Sequence, residues 1–144
     1  MTASLDAAIS AYTRFFETMT DASVEEFREL AAPDVRYRDP FADAKGIDAV
    51  VAYMHKWFRD MDGLRFELGN HAQVGDVVLS HWAMHFRLRK LPRKQWKVEG
   101  MSRITVDGNQ KVIDQVDYWD SAPLLEAFPL LGRVVGFVKK TAAA

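Results

Sequence analysis

From Leu64 to Trp119 the apolar residues recur at every second position, whereas much of the preceding chain repeats them at the three-and-four spacing of a helix. This change of period restricts the chain to helices followed by long, half-buried strands. Ala7, Ile9, Tyr12, Phe15, Phe16 and Met19 predict a first helix over about Ser4 to Met19, with Asp6 near its positive end. Ser23 and Glu26 have capping-box spacing, and Val24, Phe27 and Leu30 mark a short second helix that Pro33 ends. Val50, Val51, Met54, Trp57 and Phe58 give a third helix, Ile47 to Met61, a broad apolar face.

In the strand region, Trp82, Met84, Phe86 and Leu88 face one way across Ser80 to Leu88, while His81, His85 and Arg87 face the other. Trp96, Val98, Gly100, Ser102, Ile104 and Val106 repeat the pattern. The Asp107-Gly108 pair then turns the chain into a strand with Ile113, Gln115, Asp117 and Trp119 on one face. Long strands of this kind imply a curved, largely antiparallel sheet. Three helices cover only part of its concave side, which leaves an α+β cone with an interior pocket.

The 144 residues suit a single domain, 1–144, in which 121–144 form an apolar C-terminal extension. That tail, with Leu124, Leu125, Phe128, Leu130, Leu131, Val134, Val135, Phe137 and Val138, is expected to pack over the sheet or to close an opening. Lys and Arg number 19 against 20 Asp and Glu, so nothing steers a polyanion, and no basic stripe with interleaved aromatics supports nucleic-acid binding. Cysteine is absent, which removes thiolate chemistry from consideration. With no run of about 20 apolar residues and no basic leader, a cytoplasmic protein without membrane contact is the expectation. No phosphate loop, zinc spacing or calcium loop occurs, so no cofactor and no metal are expected.

Among polar residues, Asp39 constrains function most. In the run Val35-Arg36-Tyr37-Arg38-Asp39-Pro40, alternation puts the Asp39 carboxylate on the same side as Val35 and Tyr37. A charge facing the interior needs a partner or a chemical role. Two readings stay open: a base or ligand contact, or an Asp that caps the backbone of the following loop. Asp117 faces inward by the same parity, the alternative being an ion pair with Arg36, Arg38 or Arg103. His81 and His85 belong to the outer sheet surface, where a polar dimer interface is a better account than metal binding.

The segment Val35 to Phe41, the helix start Gly46-Ile47-Asp48-Ala49-Val50, the strand Gly100-Met101-Ser102-Arg103 and the ending Asp117-Tyr118-Trp119-Asp120 together resemble the nuclear transport factor 2-like superfamily of SnoaL-like and ketosteroid isomerase-like proteins. The resemblance spans Ser4 to Asp120. It implies an α+β fold whose cone-shaped, curved, mixed but mostly antiparallel sheet wraps around the N-terminal helices. It also implies Asp39 as general base, by similarity to the Asp-Pro segment of ketosteroid isomerases. Their oxyanion donors, a Tyr and a protonated Asp, fall on Phe15, which has no donor, and Ser102, which has a weaker one. Tyr12, one turn earlier, could supply a donor instead. The late-strand acid of SnoaL-like cyclases is similar in place to Asp117.

These readings give Asp39 and Asp117 as candidate catalytic residues, with Tyr12, Phe15, Trp57, Trp82, Ser102, Gln115 and Trp119 as candidate ligand contacts. The implied function is a cofactor-independent isomerase or cyclase acting on a small apolar carbonyl compound, working as a homodimer. A noncatalytic ligand-binding or protein-interaction module of the same fold is the alternative. Epoxide hydrolysis ranks below both, because Arg103 has the wrong parity to lie between the two acids.

Overall fold

Phe15 and Phe16 drive the first helix inward, and a computed structural model, which describes residues 2–144, places it as α1 (Thr2–Glu17). Leu5, Tyr12, Phe15, Phe16 and Met19 are buried on its inner side. A 3-10 turn over Ala22–Glu26 leads into the single-turn α2 (Phe27–Leu30). The capping differs from the expected Ser23–Glu26 box. Thr20 and Ser23 cap each other, the Thr20 amide donating to Ser23 Oγ at 2.9 Å and the Ser23 amide to Thr20 Oγ1 at 3.2 Å. Pro33 also acts later than expected. The helix ends at Leu30, and Pro33 lies within β1 (Ala31–Arg38), where the register against its neighbour shifts between Ala31 and Arg36 because proline cannot donate to a ladder.

The short β2 (Asp43–Lys45) folds back on β1, and α3 (Ile47–Asp60) follows from Gly46. Val50, Val51 and Met54 are fully buried, as their spacing requires. Four strands complete the sheet: β3 (Met61–Val74), β4 (Val77–Leu88), β5 (Leu91–Val106) and β6 (Val112–Trp119). The order is β2-β1-β6-β5-β4-β3, with β1 parallel to β6 and every other pairing antiparallel. The fold is therefore α+β, with a mixed, mainly antiparallel sheet against the N-terminal helices.

Alternation positions the inner face well. Trp96, Gly100, Ser102, Ile104 and Val106 are all buried along β5, and Trp82, Met84 and Phe86 along β4. On β6 the expected parity breaks at its start. A register shift between Thr105 and Val106 brings Val112, rather than Ile113, into the core, and Gln115 resumes the inward series.

The C-terminal segment divides in two. Leu124 of α4 (Ala122–Glu126) and Ala127 pack against the core. In α5 (Pro129–Ala143), by contrast, Leu130 is 81% and Phe137 71% exposed, and Leu131, Val134 and Val138 are exposed too. Only the first part of the tail thus behaves as its composition led us to expect. Two contacts pin α5 to α4. A Cβ on Gly132 would come within 2.2 Å of the Glu126 carbonyl oxygen, and Lys139 pairs with Glu126 at 2.8 Å.

Gly100 is the tightest point of the inner sheet face. A Cβ there would meet the Trp82 ring at 2.5 Å and the Tyr118 carbonyl oxygen at 2.9 Å. Gly100→Ala is expected to cost about 1–3 kcal/mol through overpacking, read as a lowered urea midpoint; an unchanged midpoint would mean that the indole has room to move.

Candidate functional site

Because β1 and β6 run parallel with Tyr37 opposite Gln115, continuing the register past Arg38 sets Asp39 beside Asp117. The Asp39 carboxylate is divided between two tasks. Its Oδ1 accepts the amides of Phe41 at 2.8 Å and Ala42 at 2.9 Å, while the Asp39 amide donates to the Ala42 carbonyl at 3.0 Å, closing a tight turn. Its Oδ2 faces the interior and lies within reach of the Tyr53 hydroxyl at 3.0 Å and the Tyr37 hydroxyl at 3.3 Å. The loop-cap reading of Asp39 holds for Oδ1, while Oδ2 is left facing the interior.

Asp117 lies opposite Ser102 across β5 and β6. Its Oδ1 accepts from Ser102 Oγ at 2.5 Å and from Gln115 Nε2 at 3.0 Å, and its Oδ2 accepts from Tyr37 at 2.6 Å. The Trp82 indole N–H donates to Ser102 Oγ at 2.8 Å, fixing the direction of the serine proton. Among the described residues, no arginine reaches this group: Arg36 pairs with Asp43 and Arg38 with Asp114, while Arg103 is exposed. The position between the two acids is held by the Tyr37 hydroxyl instead.

Burial raises the Asp117 pKa above its ordinary value. The hydrogen bonds from Ser102, Tyr37 and Gln115 act against that rise, and the nearby Asp39 charge adds to it. Burial, then the charges of Asp117 and Asp39, push the Tyr37 phenol well up, and burial with Asp39 does the same for Tyr53. Both phenols therefore remain donors.

These groups open onto a cavity of about 200 Å³. Trp57, Trp82 and Trp119 line it together with Asp39 and Asp117, and Phe41, Phe66 and Leu124 close the walls. Lys56 stands at its rim, paired with Asp60. Tyr12, Ser102 and Gln115 are grouped on the far side of Asp117, around an adjoining space of about 20 Å³. There Gln115, 2% exposed, keeps its Oε1 without a partner. Phe15 lines neither space. Its ring packs 5.0 Å from Phe16 and 5.4 Å from Phe27, in the core beneath α1, because it lies about one turn further along the helical face it shares with Tyr12.

Two residues central to the site, Tyr37 and Tyr53, are absent from the sequence-derived candidates. Strand parity places Tyr37 inward, but periodicity does not reveal where a phenol hydroxyl ends. A larger cavity of about 320 Å³ lies between α1 and the β3–β4 and β5–β6 ends, lined by residues such as Leu5, Ile9, Val78 and Val106. It holds no carboxylate pair, whereas Asp39 and Asp117 both line the smaller one. Among the described residues, no group of three or more His, Cys, Asp or Glu is placed to hold a metal, and no helix is long and apolar enough to cross a membrane.

The raised Asp117 pKa fixes the sign of a pH effect. The folded chain binds the Asp117 proton more tightly than the unfolded chain, so this group's contribution is greatest below the ordinary value of 3.8 and is lost as pH rises through the folded pKa. Asp117→Asn is expected to remove that downward slope, leaving the variant relatively more stable at neutral pH than at pH 4. Urea midpoints of both proteins across this range check it, and parallel curves would contradict it.

A sequence search of curated proteins returned no match. Among solved structures, the chain is similar to a protein assigned as a SnoaL-like polyketide cyclase from Jannaschia sp. CCS1, at 18% identity and TM-score 0.72, covering 83% of this chain and 90% of that one. It is similar to an NTF2-like protein of Burkholderia pseudomallei K96243 at 12% identity and TM-score 0.73, covering 85% and 95%. A protein of ketosteroid isomerase-like fold from Catenulispora acidiphila DSM 44928, in complex with trimethylamine, matches at 14% identity and TM-score 0.70, covering 82% and 88%. These similarities concern the fold. The family profile for the SnoaL-like domain matches residues 12–115, most of the sheet included, and the chain belongs to the SnoaL-like domain family.

Proposed function

We propose that the chain is a cofactor-independent acid–base enzyme, an isomerase or cyclase that moves a proton on a small carbonyl compound. The observation that carries this reading is the Tyr37 hydroxyl, held 2.6 Å from Asp117 and 3.3 Å from Asp39 at the wall of an aromatic cavity. In this reading Asp39 is the base. Its Oδ2 accepts the proton from carbon next to the carbonyl, the C–H electron pair moves towards the carbonyl oxygen, and Asp117, whose affinity for a proton burial raises, donates a proton to that oxygen. Tyr37 joins the two carboxylates and lets a proton pass between them without solvent.

The cavity volume of about 200 Å³ lies below the range that takes drug-sized ligands, so the substrate is small. The trimethylamine held by the Catenulispora relative supports a small-molecule role for a cavity of this fold. Pairing of two copies through the outer sheet face belongs to the same proposal, supported by exposed Leu79, Met101 and Tyr118 on neighbouring strands.

Proton exchange tests the reaction without the natural substrate. Small ketones incubated in D2O with the protein are expected to lose α-proton NMR signals faster than in buffer alone, and Asp39→Asn is expected to lower the exchange rate about 10² to 10⁴-fold. Equal exchange by the variant and the native protein would sink the assignment of Asp39 as base. The amide substitution retains an oxygen for the Phe41 and Ala42 amides, so loss of the turn is not a competing explanation.

A further inference from the structure

The charge and the π-surfaces of the 200 Å³ cavity have the same preference. Tyr37, Tyr53 and Trp57 form a corner of three mutually touching rings: their centroids are 5.8 Å apart for Tyr37–Tyr53 and Tyr37–Trp57, and 5.6 Å for Tyr53–Trp57. The wall continues through Phe66 at 6.1 Å from Trp57 and Trp82 at 6.3 Å from Phe66. Aromatic faces are electron-rich and attract cations, more so where water is excluded. The two tyrosines also donate to carboxylates, which pushes electron density into their rings.

The formal charges agree. Lys56 at the rim is neutralised by Asp60, leaving Asp39 and Asp117 as the uncompensated charges of the lining. One proton shared between them still leaves a net negative charge. The hydroxyls of Tyr37, Tyr53 and Ser102 are all directed at these carboxylates, so the wall offers an incoming molecule acceptors and rings more than hydroxyl donors. An anionic ligand would find repulsion here and no guanidinium to offset it.

We infer that the ligand of this cavity carries an organic cation, a protonated or quaternary alkylamine seated against Tyr37, Tyr53 and Trp57 with its charge facing Asp39 and Asp117. This rests on the reading of the cavity as the substrate site and narrows that substrate to a carbonyl compound bearing such a group. A positive charge near the carbonyl also makes the adjacent C–H more acidic, which suits a carboxylate base.

Choline and 3,3-dimethylbutan-1-ol differ in having N⁺ or carbon at the same position, so their affinities isolate the charge. Isothermal titration of the purified protein is expected to give choline at least about tenfold tighter binding than the alcohol. Trp57→Leu and Asp39→Asn should each weaken choline by a larger factor than the alcohol, with far-UV circular dichroism and urea midpoints showing that the variants fold. Equal or tighter binding of the alcohol overturns the inference, as does failure of both probes to bind at millimolar concentration. Alcohol-selective binding with ketone exchange intact removes the cation and leaves the acid–base reading standing. Choline-selective binding without proton exchange on a ketone that carries a trimethylammonium group supports the cation and removes the catalysis.

Discussion

The parallel pairing of β1 with β6 is the constraint on which the site depends. These strands lie far apart in sequence, and only the long excursion through α3 and the β3–β4–β5 meander allows them to run side by side in the same direction. With Tyr37 opposite Gln115, the two inward carboxylates are level with each other, and a single hydroxyl can reach both. A slip of one residue would turn either acid outward, since the side-chain period of a strand is two.

Holding two acids so close inside an aromatic cavity is costly unless their oxygens are occupied. Asp117 is supplied by three side-chain donors, one of which is itself oriented by the Trp82 indole. Asp39 relies instead on two backbone amides and the tyrosines. One carboxylate is thus embedded in the sheet and the other is attached to a loop, so their environments differ even though they share Tyr37. Such asymmetry is what separates the proton affinities of paired acids.

Much of this was legible in the sequence, for definable reasons. Alternation along β4 and β5 specifies which side chains enter the cone, because a sheet with one covered face leaves no other choice. The same rule placed Asp39 and Asp117 inside. It failed at Ile113, where a register shift transfers burial to Val112, and periodicity carries no trace of such a shift. Tyr53 lies one helical turn before Trp57, yet the reach of its hydroxyl to Asp39 depends on the angle between α3 and β1, a tertiary quantity. Phe15 shows the opposite error: its helical face was correct, but a face shared with Tyr12 spans both core and cavity edge. The α5 segment exposed the limits of composition, since Leu130 and Phe137 are apolar without being covered by the chain itself.

The turn after β1 has a property that follows from the division of Asp39. One of the two amides that hold Oδ1 belongs to Phe41, whose ring stands at the cavity wall 5.5 Å from Trp119. Wall and carboxylate are therefore mechanically one piece. Any guest that displaces the Phe41 ring also pulls on an amide that holds the Asp39 carboxylate in place. The fit of a guest and the position of the carboxylate it meets are set by the same few atoms, so good and poor fits encounter differently placed oxygens.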